Sequence, residues 1–298
     1  MPERAGAPGR RAALLAMGML GARGMVGQPA LGRGHRQSGC LSDWHGEWHS
    51  DFGTGLAGWG RLRDGWGFHN HRFLSEAGLC GQLLRVALAR GGIDPGTMRR
   101  RGLPASGTGF KAALIAGGAD GAALHYRLRF APGFDFVRGG KLPGLYAGSG
   151  PSGGRIPDGR NGCSFRLMWR EQGHGEVYAY LPGLQRHGLS LLRGRFGFVP
   201  GRWHEVRQEV VLNTPGCADG RVSLWLDGAW AGTADGLRMR DDLALRLDGV
   251  FVDVFFGGND DSWAARHDTH VDLALFRVAS LGGPVRGPAD GSSAGCRP

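Results

Sequence analysis

Lysine is nearly missing from this chain. Of its 36 lysine and arginine residues only Lys111 and Lys141 are lysines, so arginine carries the formal net charge of +10. Arginine presents a planar fork that grips carboxylate or phosphate through two hydrogen bonds, whereas lysine is a point charge that burial can deprotonate. The charge therefore points to an acidic partner and makes two isolated lysines conspicuous. Tyrosine is almost as scarce, with four in 298 residues. No zinc-ligand spacing, helix-turn-helix pattern or RNA-binding signature accompanies the arginines, which ranks nucleic acid well below an acidic glycan. No Cys-x-x-Cys pair occurs. Cys40, Cys80, Cys163, Cys217 and Cys296 are dispersed and odd in number. They are compatible with an oxidising compartment, leave their pairing open, and supply no metal site; no cofactor is expected either.

A long apolar run is also lacking, for spanning a bilayer takes about 20 apolar residues. The stretch Ala12 to Leu20 is shorter, follows Arg10 and Arg11, and precedes small residues near Pro29 and Ala30. Residues 1–30 are expected to be an export signal without a membrane anchor, placing the protein in the periplasm or outside the cell. The paired arginines suggest the twin-arginine route, with a Sec signal or an uncleaved leader as alternatives.

Glycine is abundant, at 57 residues. Strand-like segments recur at Leu83–Ala89, Ala122–Phe130, Ser164–Arg170, Val177–Leu181, Trp203–Leu212, Val222–Gly228, Phe251–Phe256 and Val271–Val278, with no helical pattern between them. Such spacing predicts an all-β fold of antiparallel sheets, a β-jelly roll or concanavalin-like sandwich. The segments Gly201–Asn213 and Arg221–Gly232 read as an alternating strand, a loop and a second strand ending in Asp-Gly, which together make a hairpin. The expected organisation is one monomeric β domain over residues 31–281 and a disordered tail over 282–298.

The chemistry concentrates in residues 138–180. Period-two alternation puts Phe165, Leu167 and Trp169 on the core side and Ser164, Arg166, Met168 and Arg170 outward. In the next strand Val177, Ala179 and Leu181 face the core, opposite Glu176, Tyr178 and Tyr180. Gly173 and Gly175, flanking His174, are expected to supply the positive φ of a tight turn. A three-residue connection sets Arg166 opposite Tyr180; that register or a five-residue one gathers Arg166, Tyr178 and Tyr180 on one patch. Lys141 is expected in a Gly-rich, Pro-containing loop.

Five segments in order, GGKLPGL from Gly139, SFRLMWR from Ser164, GEVYAY from Gly175, RGRFGFVPGRWHEV from Arg193 and FFGGNDDSWA from Phe255, resemble family 14 of the polysaccharide lyases, which includes glucuronan and alginate lyases. The likeness spans roughly residues 83–278; the N-terminal third has no counterpart. It implies a jelly roll whose cleft holds a lysine, a serine, an arginine and two tyrosines, here Lys141, Ser164, Arg166, Tyr178 and Tyr180. It also implies an acidic polysaccharide substrate, a 4-linked polyuronate cleaved by β-elimination. Removing the C5 proton of a uronate creates a second negative charge beside the carboxylate. Arg166, assisted by Ser164, suits neutralising that carboxylate, and a tyrosine or Lys141 suits moving protons once charge or burial lowers its pKa. Two rivals remain. A glycoside hydrolase needs paired carboxylates, and only Asp253 alone and Glu205 with Glu209 offer themselves. A non-catalytic carbohydrate-binding sandwich accounts for Arg166 and the tyrosines but not for Lys141.

Overall fold

The computed structural model describes residues 46, 48–184 and 187–281. The export segment, the tail, Cys40 and Cys296 lie outside them. Among the described residues fifteen strands form two antiparallel sheets. They are β1 (Trp48–Ser50), β2 (Leu62–Trp66), β3 (His71–Leu74), β4 (Leu83–Leu88), β5 (Thr108–Ala113), β6 (Gly121–Phe130), β7 (Gly139–Gly148), β8 (Gly162–Arg170), β9 (Gly175–Tyr180), β10 (Leu189–Leu191), β11 (Trp203–Val211), β12 (Gly220–Leu226), β13 (Ala229–Leu237), β14 (Leu247–Phe256) and β15 (Thr269–Ser280). One sheet runs β13-β12-β11-β6-β15-β4-β3, with β1 on β15; the other runs β10-β9-β8-β7-β14-β5-β2. One short helix, α1 (Pro95–Arg100), starts where Asp94 caps the Thr97 amide at 3.0 Å and proline takes the first turn. The antiparallel sandwich agrees with the expectation. Every predicted strand forms, and Asp227 and Gly228, both at positive φ, turn β12 into β13.

The segment before residue 80 supplies strands to both sheets: β1 and β3 to one and β2 to the edge of the other. Alternation drives the packing. Leu124, Tyr126, Leu128 and Phe130 of one sheet meet Leu142, Phe165, Leu167, Trp169, Val252 and Phe256 of the other, all buried. Phe130 and Trp169 cross edge-on at 5.4 Å, and Phe134 stacks on Phe256 at 5.5 Å. Cys80 and Cys217 are each in a disulfide, and Cys163 is a buried free thiol.

Lys141 departs from its expected loop, for it lies within β7. The glycines that suggest a loop are there because backbones and rings press close: a Cβ on Gly140 would lie 2.0 Å from the Trp169 ring and 2.4 Å from the Phe255 carbonyl. Pro143, which has no amide to donate, falls where the β7/β8 register slips between Leu142 and Gly144. That bulge releases backbone groups from the ladder, and the opposite sheet takes them up. Buried Gln208 of β11 accepts from the Leu145 amide at 2.9 Å and donates to the Phe165 carbonyl at 2.6 Å, while Tyr126 of β6 donates to the Pro143 carbonyl at 3.1 Å. The bulge keeps Leu142 and Leu145 in the core and lets both Lys141 and Tyr146 face outward.

Candidate active site

The outward face of the β7, β8 and β9 strands brings all five expected residues together. Its register is not the one that sets Arg166 opposite Tyr180. Arg166 pairs with Tyr178, and Ser164 with Tyr180. The turn closes one position earlier: the Arg170 amide donates to the His174 carbonyl at 2.7 Å, and the positive φ values fall on Gln172 and Gly173. Gly175 is instead required for proximity, since a Cβ there would stand 2.1 Å from the Phe196 ring.

Facing outward does not mean facing water. Ser164 and Arg166 are only 0% and 2% exposed. The Ser164 hydroxyl donates to the Pro151 carbonyl at 2.7 Å, and the Tyr180 hydroxyl accepts from the Gly154 amide at 3.2 Å, so both tie residues 151–154 to the sheet. Tyr178, half-buried, accepts from the Gly188 amide at 2.9 Å. Its ring stands edge-on to Tyr180 at 5.7 Å. Lys141 places Nζ 4.3 Å from the centre of the Tyr178 ring and donates to Met168 Sδ at 2.9 Å.

Sequence reasoning missed several members of this face. Asp253 of β14 does not stand alone: it accepts from Arg166 Nη1 at 2.5 Å, and both are buried. Alternation along Val252–Val254 placed it opposite the core valines, but its partner lies 87 residues away and no local signal links them. Among the described residues Arg166 Nε and Nη2 have no acceptor; its guanidinium lies 4.6 Å from the Phe251 ring and 5.7 Å from Tyr180. Glu176, fully buried, accepts from Arg170 at 2.5 Å. The other lysine, Lys111 of β5, is on the same face. It donates to Asp64 at 2.7 Å and to the Ser149 carbonyl at 2.6 Å. Arg63 of β2 donates to the Tyr146 hydroxyl at 2.9 Å.

The electrostatics follow from this packing. Burial, followed by the positive charges of Arg166 and Arg170, pushes the Lys141 amine well below its ordinary value, against the pull of Asp253 and Glu176. A lysine so placed releases its proton far more readily than a solvated one. Burial and the neighbouring Tyr180 raise the Tyr178 phenol, which therefore keeps its proton. Burial raises the Asp253 carboxyl, opposed first by Arg166. The face thus offers a deprotonatable amine beside a protonated phenol. Asp253, Glu176 and Asp64 are each held by a cation, while Glu205 and Glu209 belong to β11 in the opposite sheet, so the carboxylate pair of a hydrolase is not formed by these groups.

Among curated proteins no sequence matches the chain. Among solved structures, the marine alginate lyase of polysaccharide lyase family 14 from Aplysia kurodai superposes with a TM-score of 0.69 at 30% identity, over 79% of this chain and 99% of that one. An alginate lyase from Chlorella virus gives 0.64 at 18% identity over 77% and 96%. The endo-β-1,4-glucuronan lyase of the fungus Trichoderma reesei gives 0.55 at 14% over 79% and 96%, and these last two show the shared fold. The family model for polysaccharide lyase 14 matches residues 80–276, which include Lys141, Ser164, Arg166, Tyr178 and Tyr180, and the chain belongs to that family.

Proposed function

We propose that this protein cleaves a 4-linked polyuronate by β-elimination, with Lys141 as base and Tyr178 or Tyr180 as the acid that protonates the leaving O4. The observation that carries the reading is the half-buried, charge-flanked Lys141 amine 4.3 Å from a tyrosine ring. A neutral amine takes the C5 proton, the C–H electrons form the C4–C5 double bond, the C4–O4 bond breaks, and the departing oxygen receives a proton. Arg166 acts from beneath the Tyr180 and Phe251 rings. Its charge depresses the lysine and stabilises the dianion that develops on the uronate, in a site too dry to screen it. Asp253 fixes that guanidinium in place. Ser164, fully buried on the Pro151 carbonyl, serves the shape of the site by anchoring the covering loop.

The family's alginate lyase from Aplysia supports alginate or a related polyuronate as the substrate class. Disulfide bonding of Cys80 and of Cys217 supports export to an oxidising compartment, in keeping with the export signal expected of residues 1–30, and a monomer remains our working assembly. Incubation with a panel of polyuronates tests the function: the expected outcome is the ultraviolet absorbance of an unsaturated uronate, abolished by Lys141→Ala. Cleavage by a folded Lys141→Ala protein at the native rate would remove Lys141 from the mechanism.

A further inference from the structure

The face that carries Lys141 is closed to solvent at one end and open at the other. Ser164, Arg166 and Tyr180 are at most 4% exposed, and residues 151–154 are hydrogen-bonded to the first and last of them. Lys141 and Tyr178 are half-buried; beyond them burial falls away, with Arg170 and Trp263 half-buried and Arg138 exposed. A continuous set of contacts leads in that direction. The Lys141 amine and the Arg170 guanidinium lie 4.3 and 5.9 Å from the centre of the Tyr178 ring, and Arg170 and Arg138 lie 5.8 and 4.8 Å from that of Trp263. Arg138 directly precedes β7 and stands three residues before Lys141, which in extended chain is about 10 Å. Its charge is not ion-paired. Arg166 is held by Asp253 and Arg170 by Glu176, with Arg193 3.7 Å from the same Glu176. Arg138 instead donates Nη1 to the Ser262 hydroxyl at 2.6 Å and lies over the Trp263 indole, both neutral, and among the described residues no carboxylate forms an ion pair with it. Asp260, itself exposed, accepts from the Ser262 amide at 2.9 Å and from the Ser262 hydroxyl, so it braces the residue that holds Arg138. Trp263 is seated just as firmly on Gly258, where a Cβ would stand 2.2 Å from the indole.

We propose that Arg138, seated on Trp263 and Ser262, is a specificity-determining residue of this site and takes the carboxylate of the uronate next to the one that is cleaved. The sugar that loses its C5 proton must lie against the Lys141 amine. Residues 151–154 close the Ser164 end, so the polymer reaches Lys141 from the open end, and its neighbouring uronate lies beside Trp263 and Arg138. A guanidinium carries five N–H donors in a planar fork; the bond to Ser262 uses Nη1 and leaves an edge for a bidentate grip on a carboxylate. Arg166, only 2% exposed and bonded to Asp253, is too enclosed to serve a second carboxylate at the surface. Because the indole and the hydroxyl already fix the Arg138 side chain, binding orders it little further. A neutral sugar at this position gains no charged pair, so Arg138 selects an acidic residue beside the bond that breaks.

This role rests on the proposed elimination at Lys141, and the test keeps the two apart. Binding of full-length protein to alginate and to polyglucuronate is measured in a Lys141→Ala background, where the polymer is not consumed. The same polymers with their carboxyls methyl-esterified serve as the neutral probe. Turnover is measured in the otherwise native protein. Arg138→Gln is expected to weaken binding of the charged polymer and raise KM by about 5- to 13-fold, between the yield of an exposed ion pair and that of a charged hydrogen bond. Arg138→Lys, which keeps the charge but not the fork, recovers part of that loss. Ser262→Ala, which loosens Arg138 and leaves its charge, gives a smaller loss in the same direction. On the esterified polymer, Arg138→Gln and its parent bind equally. Unchanged binding of the charged polymer in a folded Arg138→Gln protein overturns the role. So does an equal loss on the charged and the esterified polymer, which would make Arg138 a brace for the Asp261–Trp263 turn and nothing more. Should no polyuronate yield an unsaturated product, the lyase reading fails, while the binding comparison in the Lys141→Ala background still decides whether Arg138 holds a uronate.

Discussion

Lys141 is a lysine that burial and two arginines hold ready to lose its proton. The sign of its effects follows. The unfolded chain binds this proton up to about pH 10.4, whereas the folded chain releases it at lower pH, so folding is penalised in full below the folded value. That penalty fades as pH rises toward 10.4. Lys141→Met is therefore expected to raise thermal stability at neutral and acidic pH, by an amount that shrinks in alkaline buffer, while abolishing turnover. A melting-temperature difference independent of pH would show that Lys141 titrates as a solvated lysine. Lys141→Arg is expected to stay inactive, because guanidinium does not deprotonate at working pH. Asp253 offers a finer probe. Its charge pulls Lys141 upward, so in Asp253→Asn the acidic limb of the kcat/KM profile is expected to move to lower pH as maximal activity falls through a loosened Arg166. A role confined to folding would change stability and leave the limb where it was. Tyr178→Phe or Tyr180→Phe at the position that supplies the proton is expected to lower kcat by about 10² to 10⁴-fold with KM little changed.

At the scale of elements, the site depends on how β7 is held. The bulge at Pro143 leaves the Leu145 amide and the Phe165 carbonyl to a single side chain, Gln208, reaching across from the other sheet. Gln208→Leu is expected to destabilise the fold by about 2 to 6 kcal/mol, since each of the two buried backbone groups left unpaired costs about 1 to 3 kcal/mol; a loss below about 0.5 kcal/mol in denaturant unfolding, on the order of an ordinary surface change, would contradict this account of the bulge. The same strand shows what the sequence could and could not convey. Alternation placed Ser164, Arg166, Tyr178 and Tyr180 on one face, because period two is a local property. It could not place β7, whose Gly and Pro content reads as loop unless the Trp169 ring, the Phe255 carbonyl and the bulge partners are known, all of them distant in the chain. The register slipped for a related reason: glycines at 173 and 175 looked alike, but one answers to backbone conformation and the other to the Phe196 ring. Alternation also says which side a residue faces, never what covers that side, so the dry environment of Arg166 and its partner Asp253 became visible only in the folded chain.

For the whole molecule, an arginine-rich surface and an acidic polymer predict that apparent affinity weakens as salt rises, because exposed charges are screened beyond a Debye length of about 10 Å at 0.1 M. The buried Arg166–Asp253 and Arg170–Glu176 pairs are shielded from salt, so the effect is expected in KM, with kcat little altered; a kcat that falls in step with KM's rise would place the salt-sensitive charges inside the site. The central claim concerns the bond broken on the sheet face that carries Lys141. It is tested most directly by digesting a polyuronate in isotopically labelled water and examining the fragments of native protein and Lys141→Ala side by side. The account predicts that every new non-reducing end carries a C4–C5 double bond, that no solvent oxygen enters the products, and that the variant yields neither. New reducing ends without unsaturation, or with labelled oxygen incorporated, would contradict it.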